Sequence, residues 1–330
     1  RFLLNDLKPA LEAVRAPAAA KDLTEWEEQN VAVAWRELEK ALKLPDDFVR
    51  EMAIVQSGAQ VAWQKAKQEN DFAHFAPHLK KTFDLKRREA DYYGWQDSPY
   101  DALHDAFDPG STEAGTEAVF EPLKPALQQL LAEVQAQPQV EDAFLYQSVN
   151  EDLQWQLTLD VLDAMGFSFQ MGRQDKSAHP FSTGLAPEDV RVTTIVEAEN
   201  LQLALYSAIH EGGHALYEQG LDPDHYGLPA CEAASLSIHE SQSRIWENNV
   251  ARGPAWVRFM YPKVVSLFQD KGTQFSEEEL FRAVNKVQPS LIRILADELT
   301  YHFHIFLRFD LERQLLKQEL KVQDLPEAWN

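Results

Sequence analysis

A mainly α-helical fold is predicted by three observations. Apolar residues recur at three- and four-residue spacing, capping boxes mark where such stretches begin, and only one segment alternates with a period of two. In residues 24–43, Trp26, Val31, Val33, Ala34, Leu38 and Leu42 follow helical spacing, and Thr24 with Glu27 supplies a capping box. A solvated face and a core face account for that helix completely. His74 and His78 also stand four apart, but Pro77 between them removes a helical hydrogen bond, so both are read as structural. Turns are predicted at Asp108-Pro109-Gly110-Ser111, at Gln137-Pro138 and around Leu221-Asp222-Pro223-Asp224. None is long enough to be a linker, and no repeat is evident, so residues 1–330 are read as one domain.

The exception to the helical pattern is Asp189 to Val196. Val190, Val192, Thr194 and Val196 alternate with Arg191, Thr193 and Ile195, which predicts a strand. Its polar face suits a sheet edge facing a polar cleft, or an ordinary half-buried strand with one solvated arginine. A helix follows from about Leu201 to Glu218. Another starts at Ser276, capped with Glu279, with Phe275 placed to staple onto Leu280. His302 and His304 are two apart on a helical stretch, roughly 200° around the axis, and cannot chelate one ion together.

Composition narrows the function. The 330 residues are 45% hydrophobic and 25% charged, as in a soluble globular protein, with no apolar run of about 18 residues to span a membrane. Lys and Arg number 31 against 53 Asp and Glu, a net charge of −22 that repels phosphate backbones and anionic lipid headgroups. Neither nucleic acid nor a membrane is expected as a partner. Cys231 is the single cysteine, so no intrachain disulfide can form, and a cytoplasmic location is expected. The N-terminus, Arg1-Phe2-Leu3-Leu4, has neither an initiator Met nor a signal pattern, and a processed chain or fragment is expected.

The residues that point to chemistry lie on the predicted helix from Leu201. His210-Glu211-Gly212-Gly213-His214 matches H-E-x-x-H. Four residues turn a helix by about 400°, so both imidazoles project from nearly the same side and can share one tetrahedral ion. Glu211 sits beside them, near enough to face a metal-bound water. The two glycines cost roughly 1 kcal/mol each relative to alanine. Their missing side chains would admit another backbone or a substrate, or simply a close helix packing. A catalytic zinc needs a third protein ligand and an open position. Glu240, 26 residues beyond His214, is the leading candidate, with His239 as a competitor and a solvated Glu240 as the plain alternative.

Several further segments carry a resemblance. His179-Pro180-Phe181, Asp189-Val190-Arg191-Val192-Thr193, His239-Glu240-Ser241-Gln242 and Ile292-Arg293-Ile294-Leu295-Ala296-Asp297 accompany the H-E-x-x-H in order. With them the chain, from about Lys43 to Asn330, resembles the carboxypeptidase Taq family of zinc metallocarboxypeptidases. The resemblance implies a mainly α-helical, zincin-type (Glu-zincin) fold with two lobes around a deep cleft and a small antiparallel sheet beside the active-site helix. It implies one zinc per chain held by His210, His214 and Glu240, with cobalt as a possible substitute, and Glu211 as general base and acid. It also implies peptide substrates with a free C-terminus, broad specificity that excludes proline, and a homodimer. Relatives run to about five hundred residues, so segments at both ends, including a G-x-x-Q-D-x-H-W motif, are expected to be missing. Ile195 and Leu295 stand where Arg and Glu are common in the family.

An exopeptidase must recognise a free α-carboxylate, and a planar guanidinium binds both of its oxygens. Arg293 is the first choice, Arg191 the second and Arg244 an outsider. His239 is a candidate donor to a developing oxyanion. The competing functions are a zinc-dependent oligopeptidase or endopeptidase of related fold, and an inactive zinc-binding fragment.

Overall fold

A computed structural model describes residues 3–17 and 20–329 of the chain. Arg1, Phe2 and Asn330, which belong to stretches read above, lie outside the described residues. The chain packs as two compact units, residues 1–124 with 303–330, and residues 125–302.

The first unit is helical among its described residues. It contains α1 (Lys8–Arg15), α2 (Glu25–Lys43), α3 (Asp46–Glu69), α4 (Phe72–Tyr93) and α5 (Pro99–His104). It also takes in the start of α6 (Glu113–Gln135) and the later part of α12, defined below. The Thr24 capping box forms as predicted, with Glu27 Oε2 accepting from Thr24 N at 2.8 Å. Phe48, Val55 and Leu85 make a small core between α3 and α4. Burying each such side chain contributes roughly 1.5–3 kcal/mol. α4 runs through Pro77 without stopping, contrary to the misalignment expected there, and the His74 and His78 rings lie 6.2 Å apart. Pro77 falls early in the helix, where the loss of one backbone bond is offset by packing of the remainder. Glu113 is buried and accepts from the Ser98 hydroxyl, with Lys317 Nζ at 2.6 Å.

The second unit holds the larger core. α7 (Glu151–Met165) and α8 (Leu201–Gln219) pack together through Val161, Leu162, Leu205 and Ile209, all inside one apolar cluster. The unit continues through α9 (Leu236–Arg244), α10 (Pro254–Ser266), α11 (Glu277–Val284) and the start of α12 (Glu298–Leu316); α13 (Leu325–Trp329) returns to the first unit. The Ser276–Glu279 capping box is present, and Phe275 and Leu280 both enter the core.

Beside α8 lies a sheet of β1 (Gly172–Lys176), β2 (Ser182–Ala186) and β3 (Asp189–Thr194), in the order β1-β3-β2. The expectation of a purely antiparallel sheet is corrected here. β3 pairs antiparallel with β2 but parallel with β1, because two chain reversals separate β1 from β3 and return them to the same direction. β3 is therefore the central strand rather than an edge. Val190, Val192 and Thr194 point into the protein, and Thr194 Oγ1 lies 2.7 Å from Ser207 Oγ on α8. Gly172 is required at its position, since a Cβ there would stand 2.0 Å from the Val190 carbonyl oxygen.

Candidate metal centre

α8 begins at Asn200, whose side chain accepts from Leu203 N at 3.1 Å, and it is wrapped by core on most sides. The adjacent glycines explain how closely. A Cβ on Gly212 would meet Leu162 Cδ2 at 2.6 Å, and one on Gly213 would meet Ser243 Cα at 2.6 Å and the Gln242 carbonyl oxygen at 2.8 Å. Both glycines thus serve helix packing, Gly212 against α7 and Gly213 against the backbone of α9. The second contact has a chemical consequence: it brings α9, capped by Ser235, against the same part of α8 that carries the paired histidines.

Glu240 then faces both rings. Its Oε2 lies 3.8 Å from His210 Nε2 and 3.4 Å from His214 Nε2, and the three ligand atoms sit within 4.8 Å of one another. Ligands about 2.0–2.1 Å from a tetrahedral ion are themselves about 3.4 Å apart. The donor set therefore fits a divalent cation. His210 Nδ1 is 2.8 Å from Glu247 Oε2, so its Nε2 is free to face inward. The His214 ring stacks on His239 with centroids 4.4 Å apart, and its buried Nδ1 has no hydrogen-bond partner.

The electrostatics have the same sense. Burial opposes ionisation of Glu240, but the hydrogen bond to His214 and the charges of His210 and Arg244 outweigh it and hold the carboxyl down at about 2. Burial likewise disfavours a charged His210, yet Glu247, Glu240 and Glu211 raise its pKa. An environment that favours a proton on that ring favours a metal cation in front of it. Glu211 is 7% exposed, and burial pushes its carboxyl above the usual range against the pull of the two histidines and Ser182.

A cavity of about 450 Å³ opens beside these groups. His210, Glu211, Glu240, Arg244, Arg293 and Tyr301 are among its lining residues, as are His179 and Pro180. Arg293 Nη1 donates to Tyr301 Oη at 2.9 Å, and the Arg244 guanidinium lies 3.8 Å over the Tyr301 ring. Arg191 is placed differently. It is exposed on β3, paired with Asp189 at 2.8 Å, and is not among the residues lining the cavity, so the plain half-buried strand is the form observed. His239 Nε2 is paired with Glu218 Oε1 at 2.8 Å. Asp297, last of its motif, caps α12 by accepting from Thr300 N at 2.9 Å and Leu299 N at 3.0 Å. Glu247, Arg252 and Tyr301 were not predicted from sequence. Glu247 stands seven residues beyond Glu240, a two-turn helical spacing that is readable only once Glu240 is located.

Comparison with known proteins gives this arrangement its relatives. The sequence profile described as carboxypeptidase Taq (M32) metallopeptidase matches residues 4–330. The chain belongs to that family. This M32 chain is 37% identical to carboxypeptidase 1 of Bacillus subtilis over 94% of its own length and 62% of the relative's. Thermostable carboxypeptidase 1 of Pyrococcus furiosus is 37% identical over the same shares, 94% and 62%. The M32 carboxypeptidase structure from Deinococcus radiodurans superposes with a TM-score of 0.92 at 39% identity, covering 97% of this chain and 64% of that one. The mainly helical fold is thus that of M32 carboxypeptidases. The M32 chain spans about three-fifths of the length of the curated relatives it matches.

Proposed function

We propose that this M32 chain carries the catalytic centre of a zinc-dependent carboxypeptidase, with residues 1–330 serving that one activity. In this reading His210, His214 and Glu240 hold the metal, and Glu211 is the general base and acid. The convergence of two imidazole nitrogens and one carboxylate oxygen within 4.8 Å carries it. Bound zinc would supply Lewis acidity and a water whose pKa falls to about 7. The protein's own part is proton handling and substrate placement. Glu211 accepts the proton of the attacking water at its carboxylate and later returns it to the leaving amine. Its burial, which raises the carboxyl, brings its proton affinity nearer to that task. Arg293, at the cavity wall, offers a planar fork for the free α-carboxylate, with Tyr301 holding one of its nitrogens. Broad specificity without proline, homodimeric assembly, a cytoplasmic location and cobalt as a substitute metal complete the reading.

The test is the Glu211→Gln protein. It should bind zinc as the parent does while hydrolysis of a blocked dipeptide falls roughly 10²–10⁴-fold. A C-terminal amide on the substrate should stop turnover, as required of an exopeptidase. Full activity of the variant would refute the assigned base, and cleavage of amidated peptides at internal bonds would refute the carboxypeptidase assignment.

A further inference from the structure

Two residues that belong to none of the sequence motifs' ligand positions close a ring behind the metal donors. Glu247 Oε2 meets His210 Nδ1 at 2.8 Å, and Arg244 Nη1 meets the same Glu247 oxygen at 3.2 Å. Arg244 Nε in turn meets Glu240 Oε1 at 3.2 Å, leaving Glu240 Oε2 turned toward the two histidines. One guanidinium therefore bridges the carboxylate that contacts His210 and the carboxylate that faces it.

We propose that Glu247 and Arg244 are positioning residues for the metal centre. The inference rests on the proposed ligation by His210, His214 and Glu240. A carboxylate only accepts, so Glu247 requires the proton of His210 to sit on Nδ1 and leaves the Nε2 lone pair facing Glu240. Arg244 assigns the two oxygens of Glu240 separate tasks, one to itself and one to the ion. Its own orientation is fixed by the Tyr301 ring, 3.8 Å away.

The backbone that carries this pair supports a dedicated role. α9 ends at Arg244 and passes directly into a wide π-helical turn, Ile245–Val250, that places Glu247 against α8. Such turns are rare in helices and recur at functional sites. The Glu247 side chain is only 16% exposed and lies 3.2 Å from the Arg244 guanidinium, so it is held against His210 rather than turned to solvent. Among the described residues no carboxylate meets His214 Nδ1, and its ring is held by stacking on His239. The two histidines are thus positioned differently on the side away from Glu240, His210 by a carboxylate at Nδ1 and His214 by ring stacking.

The experiment measures the zinc dissociation constant by competition with a chromophoric chelator, together with thermal unfolding of the metal-free proteins. Glu247→Ala should weaken zinc binding roughly 10- to 100-fold. Glu247→Gln, whose amide oxygen still accepts from Nδ1, should weaken it less. Arg244→Met should also weaken it, and the double variant should lose less than the product of the single losses, since both act through one network. The cobalt-loaded Glu247→Ala protein should show displaced visible absorption bands, a readout that a purely structural role would not move. Zinc affinity within threefold of the parent in a folded Glu247→Ala protein would overturn the proposal. Should that variant fail to fold, parent-like affinity in Glu247→Met, which keeps the side-chain length but offers Nδ1 no oxygen, would overturn it equally. A His214→Ala control separates the two readings. If it loses zinc while the Glu247 variants do not, only the positioning role fails; if it retains zinc at parent affinity, the ligation reading fails and this one with it.

Discussion

Each compact unit contains a glutamate packed among partners, and the two clusters behave differently. In the first unit, Glu113 takes donors from the Ser98 hydroxyl and Lys317, with Arg313 at 3.5 Å, so its charge is answered where it stands. In the second, Glu240 and Glu247 share Arg244, while the Nε2 atoms of His210 and His214 and one Glu240 oxygen lie within 4.8 Å of one another. The first cluster is a satisfied ion-pair network that ties α6 to α12. The second gathers two imidazole nitrogens and a carboxylate oxygen, a ligand set that can hold a cation. Density of charge does not distinguish them; the kind of group that meets the carboxylate does, ammonium and hydroxyl at Glu113 and paired imidazoles at Glu240.

That contrast can be broken in several ways. The largest effect is expected at the ligands: His210→Ala or His214→Ala should reduce zinc in metal analysis to background, while Lys317→Met should leave it unchanged. Next is the close helix contact. Gly213→Val should force α8 from the α9 backbone, lowering stability by about 3 kcal/mol in chemical denaturation and weakening zinc binding with it. A smaller loss, about 2 kcal/mol, is expected for Lys317→Met, which removes a charged hydrogen bond from a buried carboxylate. The smallest effect is in the pH profile. Burial acts to raise the Glu113 carboxyl, but Lys317, Ser98 and Arg313 outweigh it, so its folded pKa lies below 4.5. A lowered folded pKa means that the stabilisation is complete above pH 4.5 and is lost as pH falls through the folded value. Glu113→Gln should therefore flatten the acid limb of the stability curve below that pH, measured by thermal unfolding in a buffer series.

Much of the helical framework was legible because it is local. The capping boxes at Thr24 and Ser276 formed as read, and the helix predicted from Leu201 to about Glu218 spans Leu201–Gln219. The facing of His210 and His214 follows from helical pitch alone. The misreadings concern relations between distant segments. The parallel pairing of β1 with β3 depends on register across intervening turns, and Arg191 could be assigned to solvent only once β3 was seen as a central strand. Pro77 was overweighted because a propensity ignores the packing that compensates it.

By itself the sequence determined the helical class, the pair of imidazoles on one helix face, the excess of negative charge and the family motifs, all of which are encoded in spacing or composition. Tertiary structure decided which remote carboxylate meets those imidazoles, what the two glycines are for, and which arginines stand at the cavity. The reason is that a helix dictates the directions of its own side chains, whereas the partner across a contact is chosen by packing. Here that contact passes through Gly213, where two backbones approach too closely for even a methyl group.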